Sequence, residues 1–321
     1  MNIVNNLEWL KKLEEEVSDN KSKYDIVVPI SGGKDGAFLL WYICKHTNLR
    51  VLAYHIDNWF VSESAENNVK KLCAELECDC EFIRPDWGAL KDIYRELLRK
   101  NGEICIACEM MISLYPIEAA ITKEIPYIVW GLTPTQISAK KICSGVKEID
   151  YKYYKKISDY YSKLIDVIFE DEERAKSIKR KLLDNKIINN EKKYPKFVMP
   201  FYYLGYDAGK IETLVRNNTS WTRPNDVGGT SSNCIINQLH IYLKKKIKGE
   251  DFYRKMMENK YNSGEVTKQV MEYALNDSEN LSTVEDLMKM LDLDESIEEL
   301  IANIRGANKH LFLKLESNIS Q

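Results

Sequence analysis

The chain has 321 residues, of which 44% are hydrophobic and 30% are charged, and its net charge at pH 7 is −3. This composition is typical of a folded globular protein and argues against a disordered chain. The small negative charge gives no general attraction to nucleic acids. No apolar run is long enough to cross a bilayer, and the N-terminus does not resemble a signal peptide. We therefore expect a cytoplasmic protein that makes no membrane contact.

Apolar, β-branched runs alternate with amphipathic stretches along the first 250 residues. Strands are predicted at 25–30, 50–58, 80–84, 127–131 and 196–203. Repeats of a strand and a helix over about 30 residues are typical of a doubly wound parallel sheet. We predict an α/β fold with four parts: an N-terminal helix at 1–20, a core domain at 21–250, a helical insertion in that domain at about 150–196, and a helical C-terminal extension at 251–321.

The stretch from Asp25 to Gly36, D-I-V-V-P-I-S-G-G-K-D-G, predicts a strand, a loop and the start of a helix. Its apolar first half has the pattern of a buried parallel strand. Backbone N–H groups at the N-terminus of the following helix attract an anion, and two glycines allow that anion to approach closely. Lys34 adds a positive charge, and Asp35 can hold a metal ion that bridges phosphates. The sequence therefore predicts a phosphate-binding loop.

The spacing within this loop separates it from other phosphate-binding motifs. Neither G-x-x-x-x-G-K-S/T nor G-x-G-x-x-G fits the string. S-G-G-K-D resembles the pyrophosphate loop (PP-loop) of the ATP pyrophosphatase superfamily, whose members cleave ATP between its α and β phosphates and form an adenylate. The resemblance implies a doubly wound fold of the HUP type that binds ATP and Mg²⁺. Gly36 stands where the family usually has serine, so backbone contacts must carry more of the phosphate binding.

Other residues of the predicted ATP site follow neighbouring strands, because ligands of open α/β sheets bind beyond the carboxyl ends of the strands. His55 and Asp57 end the second strand. The resemblance to the superfamily implies that Gly131, after the fourth strand, opens a second loop that contacts the nucleotide. That loop carries Thr133 where the family often has an acidic pair. The predicted ATP-binding residues are Pro29, Ser31, Gly32, Gly33, Lys34, Asp35, Gly36, His55, Asp57, Gly131 and Thr133.

Three cysteines form the second group of candidate functional residues. Cys105 and Cys108 form a C-x-x-C pair, and Cys234 lies in a polar, glycine-rich loop at 221–237. Three thiolates can bind three irons of a 4Fe-4S cluster and leave the fourth iron open to a ligand such as sulfide. The pattern resembles the cluster-dependent tRNA thiolation enzymes of the 2-thiocytidine synthetase type. The resemblance implies that these cysteines are cluster ligands and, together with Lys34 and Asp35, catalytic residues.

Other roles for these cysteines remain open at this stage. A thiolate near a helix N-terminus can be a nucleophile that carries a persulfide without any metal. A zinc site would need a fourth ligand, from Cys143 or a histidine. The thiols can also be structural and inert. We expect Cys78 and Cys80 to lack partners, and two further cysteines to be plain core residues, Cys44 and Cys73.

These motifs together predict an ATP-dependent sulfurtransferase that adenylates a carbonyl or amide oxygen and replaces that oxygen with sulfur. The alternative is an amidotransferase of the same superfamily that uses ammonia, similar to those that act on N-acetyl sugars; a nucleotide-binding regulator without turnover is a third class. Arg223 and Asn225 are the candidate substrate contacts. The expected substrate is a small molecule or a carrier-bound group, with tRNA and a homodimer left open, and a sulfur donor is an expected partner.

Overall fold

The computed structural model describes residues 7–139, 144–183, 188–227, 233–276 and 281–306. Within these ranges a six-stranded sheet has the order β3-β2-β1-β4-β6-β5. The strands are β1 (Ile26–Pro29), β2 (Val51–Ile56), β3 (Asp79–Ile83), β4 (Tyr127–Val129), β5 (Val146–Glu148) and β6 (Lys196–Val198). β1, β2, β3, β4 and β6 run parallel, and β5 pairs with β6 in the antiparallel direction.

Helices connect and follow the strands of this sheet. They are α1 (Glu8–Val17), α2 (Lys34–His46), α3 (Glu63–Glu75), α4 (Trp87–Asn101), α5 (Cys105–Thr122), α6 (Pro134–Ala139), α7 (Tyr151–Ile168), α8 (Glu172–Leu182), α9 (Pro200–Leu204), α10 (Ala208–Asn218), α11 (Asn237–Lys248), α12 (Glu250–Asn262), α13 (Lys268–Asn276), α14 (Leu281–Met290) and α15 (Ile297–Gly306). The predicted doubly wound α/β architecture is therefore confirmed.

Both faces of the sheet are covered, and each face has its own core. Along β1, Val27 packs into one apolar cluster, whereas Ile26 and Val28 pack into the other. Helices α4, α5, α7, α8, α11, α14 and α15 contribute to the first cluster, and α1, α2, α3, α9 and α10 to the second. Burying a side chain of this size stabilises the fold by about 1.5–3 kcal/mol. Because the strands are buried on both sides, they are continuous apolar runs rather than alternating ones.

The α5 helix is, in length and composition, apolar enough to cross a membrane, and it is the one such helix in the described ranges. Its buried residues include Met110, Leu114 and Ile117, which pack into the first cluster. It contacts α4, α7 and three of the central strands. These contacts are those of a core helix in a globular protein.

The end of the predicted fifth strand is wrong. We expected a strand over 196–203, but β6 ends at Val198 and Pro200 begins α9. Proline fits the first position of a helix because its missing N–H would have no partner there. Short elements that the sequence pattern did not indicate are β5 and α6, which lie on either side of residues outside the described ranges.

Candidate functional site

The phosphate loop lies between β1 and α2, as predicted. Gly32 has a φ of +81°, and a Cβ atom there would lie 2.1 Å from the carbonyl oxygen of Ala65. Glycine is therefore required at this position because α3 approaches the loop closely. Gly33 precedes α2 in an extended conformation, and no described side chain caps the helix there. The first N–H groups of α2 are thus left for an anion.

Lys34 and Asp35 contact each other and a tyrosine from a distant part of the chain. The Nζ atom of Lys34 donates to both oxygens of Asp35, at 3.0 and 2.9 Å, and to the Oη atom of Tyr206 at 2.9 Å. Tyr206 in turn donates to Oδ1 of Asp35 at 2.9 Å. Burial and the nearby Asp35 raise the pKa of Tyr206, so its hydroxyl keeps its proton. The three residues form a closed triangle at the start of α2.

Gly36 packs closely against the residue that follows β1. A Cβ atom on Gly36 would lie 3.3 Å from Cγ1 of Ile30 and 3.4 Å from its Cα. The first separation is tighter than most van der Waals contacts, so a serine would require the Ile30 side chain to shift by a few tenths of an ångström. The small residue allows α2 to pack closely against the strand.

The carboxyl end of β2 carries the predicted residues His55 and Asp57. His55 is fully buried and its Nδ1 atom contacts the carbonyl oxygen of Ile30 at 2.8 Å. Burial lowers the pKa of His55, so the ring is neutral, Nδ1 donates and Nε2 is an acceptor. Nε2 is buried and has no hydrogen-bond partner among the described residues. The carboxylate of Asp57 accepts from Nε of Arg84 at 2.7 Å and from the backbone of Trp59 at 2.7 Å.

The second predicted nucleotide loop follows β4 and contains Gly131 and Thr133. The backbone N–H of Thr133 donates to Oε1 of Gln136 at 2.9 Å. Thr135 contacts Glu265, from the segment between α12 and α13, through its backbone N–H at 3.2 Å and through its hydroxyl. Glu265 also raises the pKa of Tyr206, although less than burial and Asp35 do. The C-terminal region thus supplies a carboxylate beside a loop that has none of its own.

Cys105, Cys108 and Cys234, named here the front cysteines, come together at the N-terminus of α5. Cys105 and Cys108 lie in the first turn of that helix. The chain at Phe60 to Ser62 pairs with residues 233–235, through Ser62 N–H to Asn233 O at 2.9 Å and Ile235 N–H to Phe60 O at 2.9 Å. This pairing places Cys234 beside the C-x-x-C pair.

Asn58, two residues beyond β2, connects two of the front cysteines. Its Nδ2 atom donates to Sγ of Cys108 at 3.2 Å and to Sγ of Cys234 at 3.5 Å. Its Oδ1 atom accepts from the backbone N–H of Phe60 at 3.0 Å, which orients the amide nitrogen toward the sulfurs. The next residue, Trp59, has a φ of +68°, a strained value for a large side chain. The strained turn therefore presents Asn58 to the thiols.

Burial raises the pKa of each front cysteine. The pKa of Cys234 rises to about 12, and the neighbouring Cys108 and Cys234 raise the pKa of Cys105 further. For Cys108, hydrogen bonds from Tyr94 and Asn58 act in the opposite direction, because a donor to sulfur favours the thiolate. The thiols are neutral near pH 7 in the absence of a metal.

The donor set fits a cluster better than a single ion. In the described parts of the chain, no group of three His, Cys, Asp or Glu side chains is placed to hold one metal ion. A 4Fe-4S cluster makes a different demand, because each cysteine binds its own iron. Three partly buried thiols from two segments, with an amide donor facing two of them, are the residues that would hold such a cluster. Cys143, the fourth ligand considered for zinc, lies outside the described residues.

The candidate substrate residues belong to a segment that is fixed to the phosphate loop. Nε1 of Trp221 donates to the carbonyl oxygen of Gly32 at 2.8 Å, and Asn68 bridges the loop to Thr222. Nε of Arg223 lies 3.5 Å from Glu212. Oδ1 of Asn225 accepts from the Ser64 hydroxyl at 3.4 Å. The rest of the glycine-rich loop, residues 228–232, lies outside the described residues.

A second thiol group was not expected. Cys78 forms side-chain hydrogen bonds with Cys44 and Cys73, and Cys73 also with Cys80. The expectation that Cys78 and Cys80 lack partners is therefore wrong, because the turn after α3 returns the chain toward α2 and α3. These contacts lower the pKa of Cys78 to about 4. Cys44, Cys73, Cys78 and Cys80 are named here the rear cysteines.

Comparison with known proteins gave distant similarities. No family model matches the chain. The uncharacterized protein MJ1599 of Methanocaldococcus jannaschii is 24% identical over 111 residues, which cover 33% of this chain and 39% of that protein. The chain thus matches well under half the length of this curated relative.

Two solved structures are similar to the chain at low scores. An NH3-dependent NAD synthetase from Campylobacter jejuni has a TM-score of 0.33 and 14% identity, covering 58% of this chain and 95% of that one. The U34-tRNA thiolase NcsA from Methanococcus maripaludis, with its 4Fe-4S cluster, has a TM-score of 0.37 and 11% identity, covering 90% and 82%. At these scores the similarities carry no argument about function. The resemblance to the ATP pyrophosphatase superfamily rests on the S-G-G-K-D loop and its position between β1 and α2.

Proposed function

We propose that this protein is an ATP-dependent sulfurtransferase that adenylates a carbonyl or amide oxygen and replaces it with sulfur. One observation carries the proposal. The phosphate loop follows β1, and Asn58, which contacts the sulfurs of Cys108 and Cys234, follows the neighbouring β2. Because parallel strands end at the same edge of a sheet, the predicted phosphate loop and three partly buried thiols lie near adjacent strand ends, which supports the proposal.

The phosphate loop supports the first step. The proposed ligand is ATP with Mg²⁺, with the triphosphate on the N–H groups of α2, Lys34 facing a phosphate oxygen and Asp35 facing the metal ion. The substrate oxygen attacks the α-phosphorus and pyrophosphate leaves, which gives an adenylate. The substrate oxygen now belongs to AMP, a good leaving group, so a sulfur nucleophile can displace it at the carbon.

The front cysteines support the second step. Cys105, Cys108 and Cys234 would hold three irons of a 4Fe-4S cluster, and such a cluster with one open iron supplies a binding place for sulfide. The amide of Asn58 donates to sulfur, which favours thiolates as ligands, and the hydroxyl of Tyr94, which donates to the carbonyl oxygen of Asn58, contacts Sγ of Cys108 at 3.5 Å.

An ammonia-dependent amidotransferase is the second candidate, and one observation favours it. Burial keeps the front cysteines protonated in the absence of a metal, so as bare thiols they are poor nucleophiles. If no cluster binds, the adenylate would react with ammonia and the thiols would be structural.

The iron and sulfide content of protein purified without oxygen separates the two candidates. We expect about four irons per chain and broad absorption near ~400 nm, both lost in Cys108→Ser. The matched control is Cys78→Ser, which removes a rear cysteine and should keep the iron. Protein that stays free of iron after reconstitution would contradict the sulfurtransferase proposal in its cluster form. Offering sulfide and ammonia in turn to the adenylate would then identify the nucleophile.

A further inference from the structure

A cavity of about 730 Å³ is bordered by the segment that carries Arg223. Its walls come from α10, from residues 223–227 and from residues 267–273. The side chains that matter to the argument are Glu212, Arg216, Arg223, Asn225, Lys268 and Tyr273. Cavities of roughly 300–1,000 Å³ are the size that proteins use for small-molecule ligands.

The charges that line this cavity are unbalanced. Glu212 is its one acidic lining residue among those described, and it contacts two arginines, Nη2 of Arg216 at 2.7 Å and Nε of Arg223 at 3.5 Å. Lys268 also lines it, and its Nζ atom lies 3.5 Å from Glu272, in an exposed pair that contributes little. A single carboxylate cannot accept hydrogen bonds from all the N–H groups of two guanidinium groups. The cavity therefore presents donors and positive charge to a ligand.

Two chain segments that border the cavity also have residues that contact the phosphate loop. On one side, Trp221 donates to Gly32, two residues before Arg223 begins the cavity wall. On the other side, the N–H of Ala208 donates to the carbonyl of Gly264 at 3.0 Å, next to Tyr206. A ligand in the cavity would thus lie against the same two segments that contact the phosphate loop.

We propose that this cavity binds the anionic group, phosphate or carboxylate, of a small-molecule substrate. Arg216 and Arg223 would form paired hydrogen bonds to its oxygens, as guanidinium groups do with such anions. Asn225 adds a polar contact, and the half-exposed ring of Tyr273 offers an apolar face to the rest of the molecule. The inference rests on the proposed function, because it assigns the cavity to the substrate of that reaction. A single concave site of this volume suits a small molecule better than RNA, which needs an extended basic surface.

The test is site-resolved labelling of arginines with phenylglyoxal, read by mass spectrometry, in the intact protein. Inorganic phosphate is the probe, and chloride at equal ionic strength is the reference. We expect phosphate to slow the labelling of Arg216 and Arg223 roughly three-fold or more, because its oxygens engage both guanidinium groups. Arg180, exposed in α8 beside Lys176 and Lys179, is the control arginine in a cationic setting and should show no such protection.

Three substitutions test which side chains bind the phosphate. Arg223→Gln should raise the phosphate concentration that half-protects Arg216 about ten-fold, since one charge-assisted contact is lost. Glu212→Gln should lower that concentration, because the competing carboxylate is removed. Lys34→Ala, which disables the phosphate loop, should leave the protection unchanged. A failure of the proposed reaction is thereby separated from a failure of the cavity assignment.

Other probes identify the chemical class of the ligand that the cavity binds. Equal protection by acetate would support a carboxylate substrate, and protection by phosphate alone would support a phosphorylated one. Protection that does not exceed that of Arg180 would overturn the proposal. Protection by tRNA but not by phosphate would also overturn it, in favour of an RNA surface.

Discussion

The front and rear cysteines lie on opposite faces of the same sheet, and their surroundings differ in kind. The front cysteines pack against the first apolar cluster and contact an amide donor and a tyrosine hydroxyl, whereas the rear cysteines pack in the second cluster and contact one another. Burial raises the pKa of every front thiol, whereas thiol donors lower the pKa of Cys78 to about 4. Proximity of cysteines alone therefore does not define a site.

The difference shows what each group is suited to hold. Polar donors that face sulfur stabilise an anionic sulfur ligand and add nothing to thiols that stay protonated. The front cysteines have such donors beside the phosphate loop. The rear cysteines contact each other through thiol hydrogen bonds, which lower the pKa of Cys78 and raise the pKa of Cys44 and Cys73.

The largest expected effect is on the amount of bound iron when one front cysteine or one rear cysteine is replaced. Cys234→Ser should reduce bound iron from about four per chain to below about one, because a cluster rarely survives the loss of one of three protein ligands. Cys80→Ser is the matched control in the rear group and should retain the iron. The measurement is iron per chain after anaerobic reconstitution. Equal loss in both variants would mean that the serine changes unfold the protein rather than remove a ligand.

The next effect is the pH dependence of alkylation by iodoacetamide in iron-free protein. The thiolate is the reactive form, and the pKa of Cys78 is lowered by its thiol contacts whereas the pKa of Cys234 is raised by burial. We therefore expect Cys78 to react faster than Cys234 at neutral pH, and the labelling of Cys234 to rise only at higher pH.

Cys44→Ser tests the cause of this difference. A serine hydroxyl in place of the thiol changes the donor that Cys78 receives from α2, so the reaction of Cys78 at neutral pH should slow. Faster labelling of Cys234 than of Cys78 would contradict the assigned order of acidity. Peptide mass spectrometry identifies the labelled residue in each case.

A smaller effect is expected from the amide that faces the front cysteines. Asn58→Asp keeps an oxygen acceptor for the backbone of Phe60 but replaces the sulfur donor with a carboxylate. We expect iron release to a chelator to become about ten-fold faster, in the range found for residues that support metal ligands. Tyr94→Phe, which removes a longer contact of 3.5 Å to Cys108, should have less effect. Unchanged release in Asn58→Asp would show that the amide does not support the thiolates.

The smallest expected effect is on stability and concerns the rear cysteines. Cys73 is 5% exposed, so Cys73→Ser should lower the free energy of unfolding by about 1–2 kcal/mol, because a hydroxyl is less easily buried than a thiol. Cys80→Ser, at a more exposed site, should cost less than that. Urea unfolding measures both values. A larger loss for Cys80→Ser would show that this thiol has contacts beyond those described.

The sequence was sufficient where a feature is local. The phosphate loop is one strand, one turn and one helix start, and residues 25–36 contain all three. The C-x-x-C pair is also local, since both cysteines lie in one turn of α5. The doubly wound sheet followed from repeated strand and helix patterns, each determined by its own burial.

The sequence was insufficient where contacts join distant segments. Tyr206 reaches Lys34 across 172 positions, and Glu265 reaches Thr135 across 130. Neither residue belongs to a motif, so no pattern indicated it. Asn58 could have been predicted from the sequence, because the rule that places Asp57 at the strand end applies equally to the next residue. The partners of Cys78 were missed because a thiol cluster has no periodicity.

The triangle of Lys34, Asp35 and Tyr206 has a consequence for which anions the protein selects. Lys34 has Asp35 as its counter-ion, so an anion that arrives alone must compete with Asp35 for the same ammonium group. A nucleotide that arrives with Mg²⁺ brings a cation for the aspartate and an anion for the lysine, and it replaces both halves of the pair at once. We therefore expect the loop to discriminate against free phosphate and pyrophosphate in the cell and to favour the metal complex of the nucleotide.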